Sequence, residues 1–496
     1  VNNHVMITVD TTARKYRLIS LFIASLGILT LLMADIEISA TDPMDELLAI
    51  LAGFISPDLS QIDYLAEALL TTVSFAVVGI SIAATLGIFL APLHHLPLVS
   101  HFCAFIRSIH ELFWALIFLQ MFGLSSITGV LAIAIPYTGI FARVYSDILE
   151  QSPLDRRHWI NDTSLSVWLY TGIIPCWAAI AQYTRYRFEC GLRSAAILGF
   201  IGLPTLGYYL ETAFSQGQYN QAAGLLLLFF AMIATLKWWL NIRLVLVYLI
   251  AAIVYLPWQS QLEFKYLVRF ITQDIVPQPL LEPTLNLSHL SQWFGDLVSG
   301  QILPGIGASL LLSVSALLCC GVIALLTWPL ASRAILGRGY ILGHGLLIVM
   351  RSTPEIILAF VIMLIIGPSM LPAILALALH NGAIIGYLLA HRADRVQLRV
   401  DRPNGLNLWA YELQPQIYPS FISLIFYRFE VILRESAILG MLGVTTLGFY
   451  IDSAFEALFF DVALILILVT AALNMLVNSI SLRLRRYLAL DRIVTA

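Results

Sequence analysis

Lysine occurs only three times in 496 residues (Lys15, Lys237 and Lys265), and none of the three follows a glycine. The chain therefore lacks a phosphate loop of the G-x-x-x-x-G-K-[ST] type, which excludes ATP hydrolysis by that route. Charge of either sign is scarce, at 11% of residues where a soluble protein carries roughly 25%. The five cysteines, Cys103, Cys176, Cys190, Cys319 and Cys320, have no metal-ligand spacing and read as small packing residues. H-E-x-x-H and G-x-S-x-G are missing, and no interval is long enough for a soluble catalytic domain. These absences point to a non-catalytic chain with no metal site and no cofactor of its own.

Apolar sequence fills the space instead. Hydrophobic residues make up 59% of the chain, and the mean hydropathy is +0.87. Segments such as 18–34, 69–90, 225–240 and 458–477 approach the roughly 20 residues that a helix needs to cross a bilayer. In hydrocarbon the backbone must satisfy its own hydrogen bonds, so such runs are helices. The expected fold is an all-α polytopic membrane protein with about twelve transmembrane helices. Basic clusters at Arg14–Lys15–Arg17, Arg156–Arg157, 333–338, 392–402 and 483–486 fit one topology, with both termini cytoplasmic. Acidic Asp35 and Glu37 follow the first segment, which lacks a small-residue cleavage pattern and reads as a retained helix.

The stretch from Tyr186 to Phe214 returns 241 residues later, from Tyr427 to Phe455, with 17 of 29 positions identical and no gap. YRFECGLRSAAILGFIGLPTLGYYLETAF becomes YRFEVILRESAILGMLGVTTLGFYIDSAF. The chain is a tandem duplication, with a first repeat over 1–243 and a second over 244–496. About six crossings per repeat keep both copies in one orientation, a parallel repeat enclosing one path. The interval 258–300, rich in proline, glutamine and charge, is the expected extracytoplasmic loop. Polar intervals at 150–166 and 392–407 occupy matching positions on the cytoplasmic side.

Charge inside the spans is rare enough that each instance is informative. Arg107 and Glu111 are four residues apart, as are Arg351 and Glu355, while Glu189–Arg193 and Glu430–Arg434 repeat the spacing with the acid first. On a helix such pairs share a face and neutralise each other. The plain reading is a set of structural ion pairs; the sharper one places Arg187, Arg193, Arg428 and Arg434 on a pathway that attracts an anion. GLPTLG (202–207) and GVTTLG (443–448), with Thr205 and Thr446, break a helix at depth. Such a break either lines a cavity, where free amides meet an anion, or is a turn that only packs. His380 has Pro136 opposite it in the repeat and His110 has Pro354, so neither histidine is duplicated. Each reads most simply as a hydrogen-bonded packing residue.

RSIHELFWALIFLQMFG (107–123) with YRFECGLRSAAILGFIG (186–202), and RSTPEIILAF (351–360), LALALHNGAIIGYLLA (375–390) and YRFEVILRESAILGMLG (427–443), resemble the phosphonate-type permease family. These are the membrane subunits of type I ABC importers. The resemblance implies two permease units fused in one chain in a bacterial inner membrane. A separate cytoplasmic ABC ATPase dimer would hold ATP and Mg2+, and a periplasmic substrate-binding protein would deliver a phosphonate, phosphite or related phosphorus oxyanion. Coupling segments would lie near 147–169 and 391–409, with Asp162, Thr163 and Ser164 in the first and Pro403, Asn404 and Gly405 in the second. The sequence departs from the family in these segments, which differ from each other, and in its altered glycine-rich loops. An amino-acid or methionine permease of the same build, and an ion-coupled secondary transporter, are the alternative readings.

Overall fold

The structure is a computed structural model that describes residues 2–60, 64–150, 168–258, 264–281, 286–403 and 405–488. Among these residues every regular element is a helix. Counting helices of ten residues or more, these are α1 (Asn2–Met33), α2 (Pro43–Ile55), α3 (Leu65–Leu90), α4 (Pro97–Ser108), α5 (Glu111–Phe122), α6 (Ser126–Glu150), α7 (Ile174–Ile197), α8 (Leu206–Ser215) and α9 (Tyr219–Ala234). They continue with α10 (Val245–Tyr255), α11 (Leu287–Leu297), α12 (Leu303–Thr327), α13 (Tyr340–Ser352), α14 (Glu355–Ile366), α15 (Met370–Ala393), α16 (Gln414–Ile438), α17 (Leu447–Glu456) and α18 (Phe460–Tyr487).

Among the described residues six helical stretches are long and apolar enough to cross a membrane, and ten are if each of four bent pairs is one span. Apolar side chains such as Leu32, Leu98 and Leu342 lie on the outside of the bundle, which is the surface that hydrocarbon would cover. Two further apolar helices, α9 and α10, are shorter. At 1.5 Å per residue, α9 reaches only about 24 Å against a hydrocarbon core of about 30 Å. That is why twelve apolar segments yield fewer than twelve clear spans. Much of the expected outer loop is also helical: 264–274 and 278–280 form short helical turns, and 287–302 runs directly into α12.

Two apolar stretches, 98–122 and 341–366, are broken. The axes of Pro97–Ser108 and Glu111–Phe122 meet at 87°, and those of Arg333–Ser352 and Glu355–Ile366 at 95°. The residues at each break are extended: Ile109 and His110 in the first repeat, Thr353 and Pro354 in the second. Pro354 disfavours helix at Thr353. His110 does the equivalent work by a different means, because its ring caps α5 by accepting from Leu112 N–H at 3.2 Å.

The chain folds as two compact units, Leu48–Val276 and a discontinuous one made of Val1–Leu47 with Pro277–Ala496. Each is built alike. In the contiguous unit α3 packs along α6, α4 and α5 lie on α6, α7 closes on α3, and α8 folds back on α9. In the discontinuous unit α12 packs along α15, with α13, α14, α16, α17 and α18 in the corresponding places. The helix that completes each unit comes from the other repeat. α10, which opens the second repeat, packs on α3, while α1, which opens the first, packs on α12 with Gly27 against Leu318. The chain leaving each of these helices is fastened at an equivalent point. Met370 N–H donates to Asp35 O at 3.1 Å, and Ser126 Oγ donates to Pro257 O at 2.7 Å. The repeat is thus a relation of sequence, and the compact units are a relation of packing.

Candidate functional site

Each unit buries a polar cluster at its bent helix pair. In the contiguous unit Glu111 opens α5, and its carboxylate lies among buried side chains. Ser194 Oγ, from α7, donates to Glu111 Oε1 at 2.6 Å, and Ser194 is also within 3.1 Å of the Tyr137 hydroxyl on α6. Because His110 Nδ1 accepts from Leu112, its proton is on Nε2, which lies 3.4 Å from Glu111 Oε2. This Glu–His–Ser–Tyr arrangement has donors matched to acceptors.

The corresponding cluster of the other unit is built from different residues at the same places. Glu355 opens α14 where Glu111 opens α5, Asn381 stands for Tyr137, and Glu435 stands for Ser194. The histidine comes from another helix: His380 on α15, opposite Pro136, in place of His110, opposite Pro354. His380 Nδ1 is 2.9 Å from Thr353 O, and Nε2 is 3.9 Å from Glu355 Oε2. Asn381 Nδ2 donates to Glu435 Oε2 at 2.8 Å, and Arg428 donates to Asn381 Oδ1 at 3.3 Å. Glu355, His380 and Glu435 are all buried, and one ligand atom from each lies within 4.8 Å of the others.

The charged pairs of the sequence fall into two kinds. Glu189 with Arg193, and Glu430 with Arg434, each lie on one continuous helix, α7 or α16. Arg107 and Glu111, and likewise Arg351 and Glu355, stand on opposite sides of a bend near 90°, so the shared helix face expected of them does not exist. The guanidinium of Arg351 lies over the Tyr387 ring, 4.2 Å from its centre. Arg187 donates through Nε to the Tyr183 hydroxyl at 2.6 Å and faces the Tyr183 and Tyr186 rings. Arg193 reaches Cys190 Sγ at 3.3 Å. The equivalent arginines Arg187 and Arg428 each lie over the preceding tyrosine ring, Tyr186 or Tyr427, and differ in a hydrogen-bond partner, the Tyr183 hydroxyl in one repeat and the buried amide of Asn381 in the other.

The glycine-flanked breaks are packed turns. Gly202 (φ 92°) and Gly443 (φ 87°) adopt the left-handed conformation that lets α7 and α16 end and α8 and α17 begin. A Cβ at Gly207 or Gly448 would collide with the carbonyl oxygen of Ala196 or Ala437, so only glycine permits this approach. Thr205 and Thr446 are wholly buried, and their hydroxyls donate to Ala196 O at 3.2 Å and Ser436 O at 3.4 Å. The first amides beyond the breaks are also engaged. Leu206 N–H donates to Thr72 Oγ1 at 2.9 Å, and Leu447 N–H to Ser309 Oγ at 3.0 Å. In this conformation the two threonines hold the turn rather than face a cavity.

Of the expected coupling residues, Asp162, Thr163, Ser164 and Asn404 lie outside the described residues. Pro403 and exposed Gly405 (φ 64°) sit in the connection between α15 and α16, where the Val400 and Leu406 side chains are also exposed.

The chain is 24% identical over 463 residues to the phosphate-import permease protein PhnE of Mycolicibacterium smegmatis, and the match covers 85% of each protein. It is similar to transport permeases. The phosphite transport system permease protein PtxC of Stutzerimonas stutzeri is 28% identical over 148 residues, which are 29% of this chain and 54% of PtxC. The putative cryptic phosphonate transport system permease protein PhnE2 of Escherichia coli is 29% identical over 122 residues, 23% of this chain and 98% of PhnE2. The resemblance read from Arg107, Glu111, Tyr186 and their repeats is therefore borne out, by similarity over 85% of the chain in one relative and over shorter stretches in the others. No family model matches the chain, and no solved structure does.

The sequence reading overlooked Tyr137, Ser194, Asn381 and Glu435. A signal was present: Ser194 against Glu435 places a new carboxylate inside the best-conserved block of the repeat.

Proposed function

We propose that this chain is the membrane permease of an ABC importer for phosphate, phosphite, phosphonate or a closely related phosphorus oxyanion. The observation that carries the reading is the similarity to a phosphate-import permease over 85% of both chains. The shorter relatives, whose names specify phosphite and phosphonate transport, support the same cargo class. In this reading the chain performs no bond chemistry. A separate ABC ATPase dimer binds ATP and Mg2+ and hydrolyses the nucleotide. A periplasmic binding protein delivers the cargo, and the permease sits in a bacterial inner membrane with both termini cytoplasmic.

The ATPase docks on the polar intervals near 147–169 and 391–409. Exposed Val400 and Leu406, beside Pro403 and Gly405, supply apolar contacts for a cleft in the partner. Nucleotide-driven closure of the ATPase biases the permease between inward- and outward-open states. Arg187, Arg193, Arg428 and Arg434 attract the anion, since guanidinium matches a tetrahedral oxyanion in charge and geometry.

The test is ATP hydrolysis and uptake in proteoliposomes containing the permease, its ATPase and its binding protein. Phosphate, phosphite, methylphosphonate, 2-aminoethylphosphonate and methionine would be compared. Stimulation by a phosphorus compound, only with binding protein present, is the expected result. Stimulation by methionine alone, or uptake that follows an ion gradient without ATP, would overturn it. In the same assay the double variant Arg187→Gln/Arg428→Gln should lose uptake about tenfold or more, the equivalent of one lost charge-assisted contact of about 1.5–3 kcal/mol.

A further inference from the structure

We infer that Glu355, His380 and Glu435 form a buried binding site for one divalent transition-metal ion of the zinc class, present in the second repeat and lost or never gained in the first. The three side chains come from three helices, α14, α15 and α16, of one compact unit. All are more than nine-tenths buried, and one ligand atom from each lies within 4.8 Å of the other two. A metal bonded at about 2.0–2.2 Å to each would hold tetrahedral donors roughly 3.4 Å apart. Small side-chain rotations close that gap, since His380 Nε2 is already 3.9 Å from Glu355 Oε2.

The proton placement on His380 is the decisive detail. Its Nδ1 is 2.9 Å from the Thr353 carbonyl oxygen, which can only accept. Nδ1 therefore carries the proton, and in the neutral ring Nε2 presents a lone pair on the side of Glu355. A histidine whose far nitrogen is tied to a backbone carbonyl is the usual outer-shell arrangement for a metal ligand, because it fixes tautomer and ring orientation. Glu435 is supported similarly, with Asn381 Nδ2 donating to Oε2 at 2.8 Å and Arg428 donating to Asn381 in turn. One imidazole and two carboxylates suit zinc. Calcium prefers six to eight oxygens, and magnesium octahedral oxygen with several waters.

The first repeat is the internal control. At the place of Glu435 it has Ser194, whose hydroxyl donates to Glu111 at 2.6 Å. Its histidine has the opposite tautomer, with Nδ1 accepting from Leu112 and the proton on Nε2 toward Glu111. Three ligand atoms converge in one repeat, while a serine hydroxyl and a ring N–H stand at the carboxylate in the other.

The full-length chain, purified in detergent and stripped with a chelator, would be loaded with zinc alone and desalted. Metal content and the thermal unfolding midpoint would then be measured. Wild type should retain one zinc per chain and melt higher with zinc than without. Glu435→Ser, which copies the first repeat, and His380→Ala should each bind at least tenfold more weakly and lose the zinc-dependent shift, while Ser194→Ala should keep both. Zinc absorption spectroscopy on wild type alone covers the case in which a variant fails to fold: one imidazole with oxygen donors is expected. Retention of less than a tenth of an equivalent by folded wild type, sulfur ligands in the spectrum, or equal retention by folded Glu435→Ser would each overturn the site. The first result would mean that a proton, not a metal, sits between His380 and the carboxylates.

Discussion

The two repeats agree where the backbone turns and disagree where polar side chains are buried. At the GLPTLG and GVTTLG breaks the same devices recur: Gly202 and Gly443 left-handed, Thr205 and Thr446 bonded to the preceding helix, and a hydroxyl on α3 or α12 taking the next amide. A buried amide has few ways to be satisfied, so duplication preserved the solution. Around Glu111 and Glu355 the residues instead diverge, and histidine and proline have exchanged places between positions 110/354 and 136/380. The 110/354 exchange keeps the helix bend, once by a capping ring and once by a proline, while Nε2 faces the carboxylate in both repeats, as N–H in the first and as the lone pair of a neutral ring in the second. The fold constrains the bend, and the cluster was free to specialise.

The comparison breaks most sharply at Ser194→Glu. This change gives the first repeat the second carboxylate of the other cluster without the histidine lone pair that accompanies it. A buried, uncompensated charge should destabilise by about 3–5 kcal/mol, read as a large fall in the thermal midpoint or loss of monodisperse protein. A stable Ser194→Glu protein would mean that the two clusters are interchangeable.

Next in size are Gly207→Ala and Gly448→Ala. Each places a Cβ against a carbonyl oxygen of the preceding helix, and the two should cost similar amounts, about 1–3 kcal/mol or more. Unequal losses would show that the turns are less alike than their geometry. Thr72→Val and Ser309→Ala each remove the oxygen that accepts the amide of Leu206 or Leu447. The orphaned N–H should cost about 1–3 kcal/mol in either repeat, visible as faster amide exchange at α8 or α17. His110→Ala removes both the cap of α5 and the ring N–H that faces the buried Glu111, and should cost about 1–3 kcal/mol. His110→Asn, which keeps a capping acceptor, should restore part of that stability.

Much of the fold was legible in the sequence for a physical reason. Helices in lipid announce themselves by length and composition, and the block Tyr186–Phe214 carries its copy in plain view. The break between Arg107 and Glu111 was not legible, because Ser108–Ile109–His110 contains neither glycine nor proline and the cap is made by a ring. Pro354 in the copy was the available hint. Nor could periodicity show that α1 packs on α12, since its apolar surface fits a lipid as well as a helix. In the polar cluster, Glu111 and Glu355 stood out as buried charge, but Tyr137 and Asn381 join it only through the crossing of α6 with α7 and α15 with α16.

The pairing of α1 with α12 sets an order of assembly. The unit Leu48–Val276 is one unbroken stretch and can close as soon as its last helix leaves the ribosome. Helix α1 emerges before that unit, yet its packing partner begins about 270 residues further on. At roughly 5–20 residues per second, it waits on the order of 15–60 s in the bilayer before α12 arrives. During that interval its long apolar surface, in which few residues find protein neighbours even in the finished fold, must be at ease in lipid alone. A helix made before the contiguous unit is therefore placed after it.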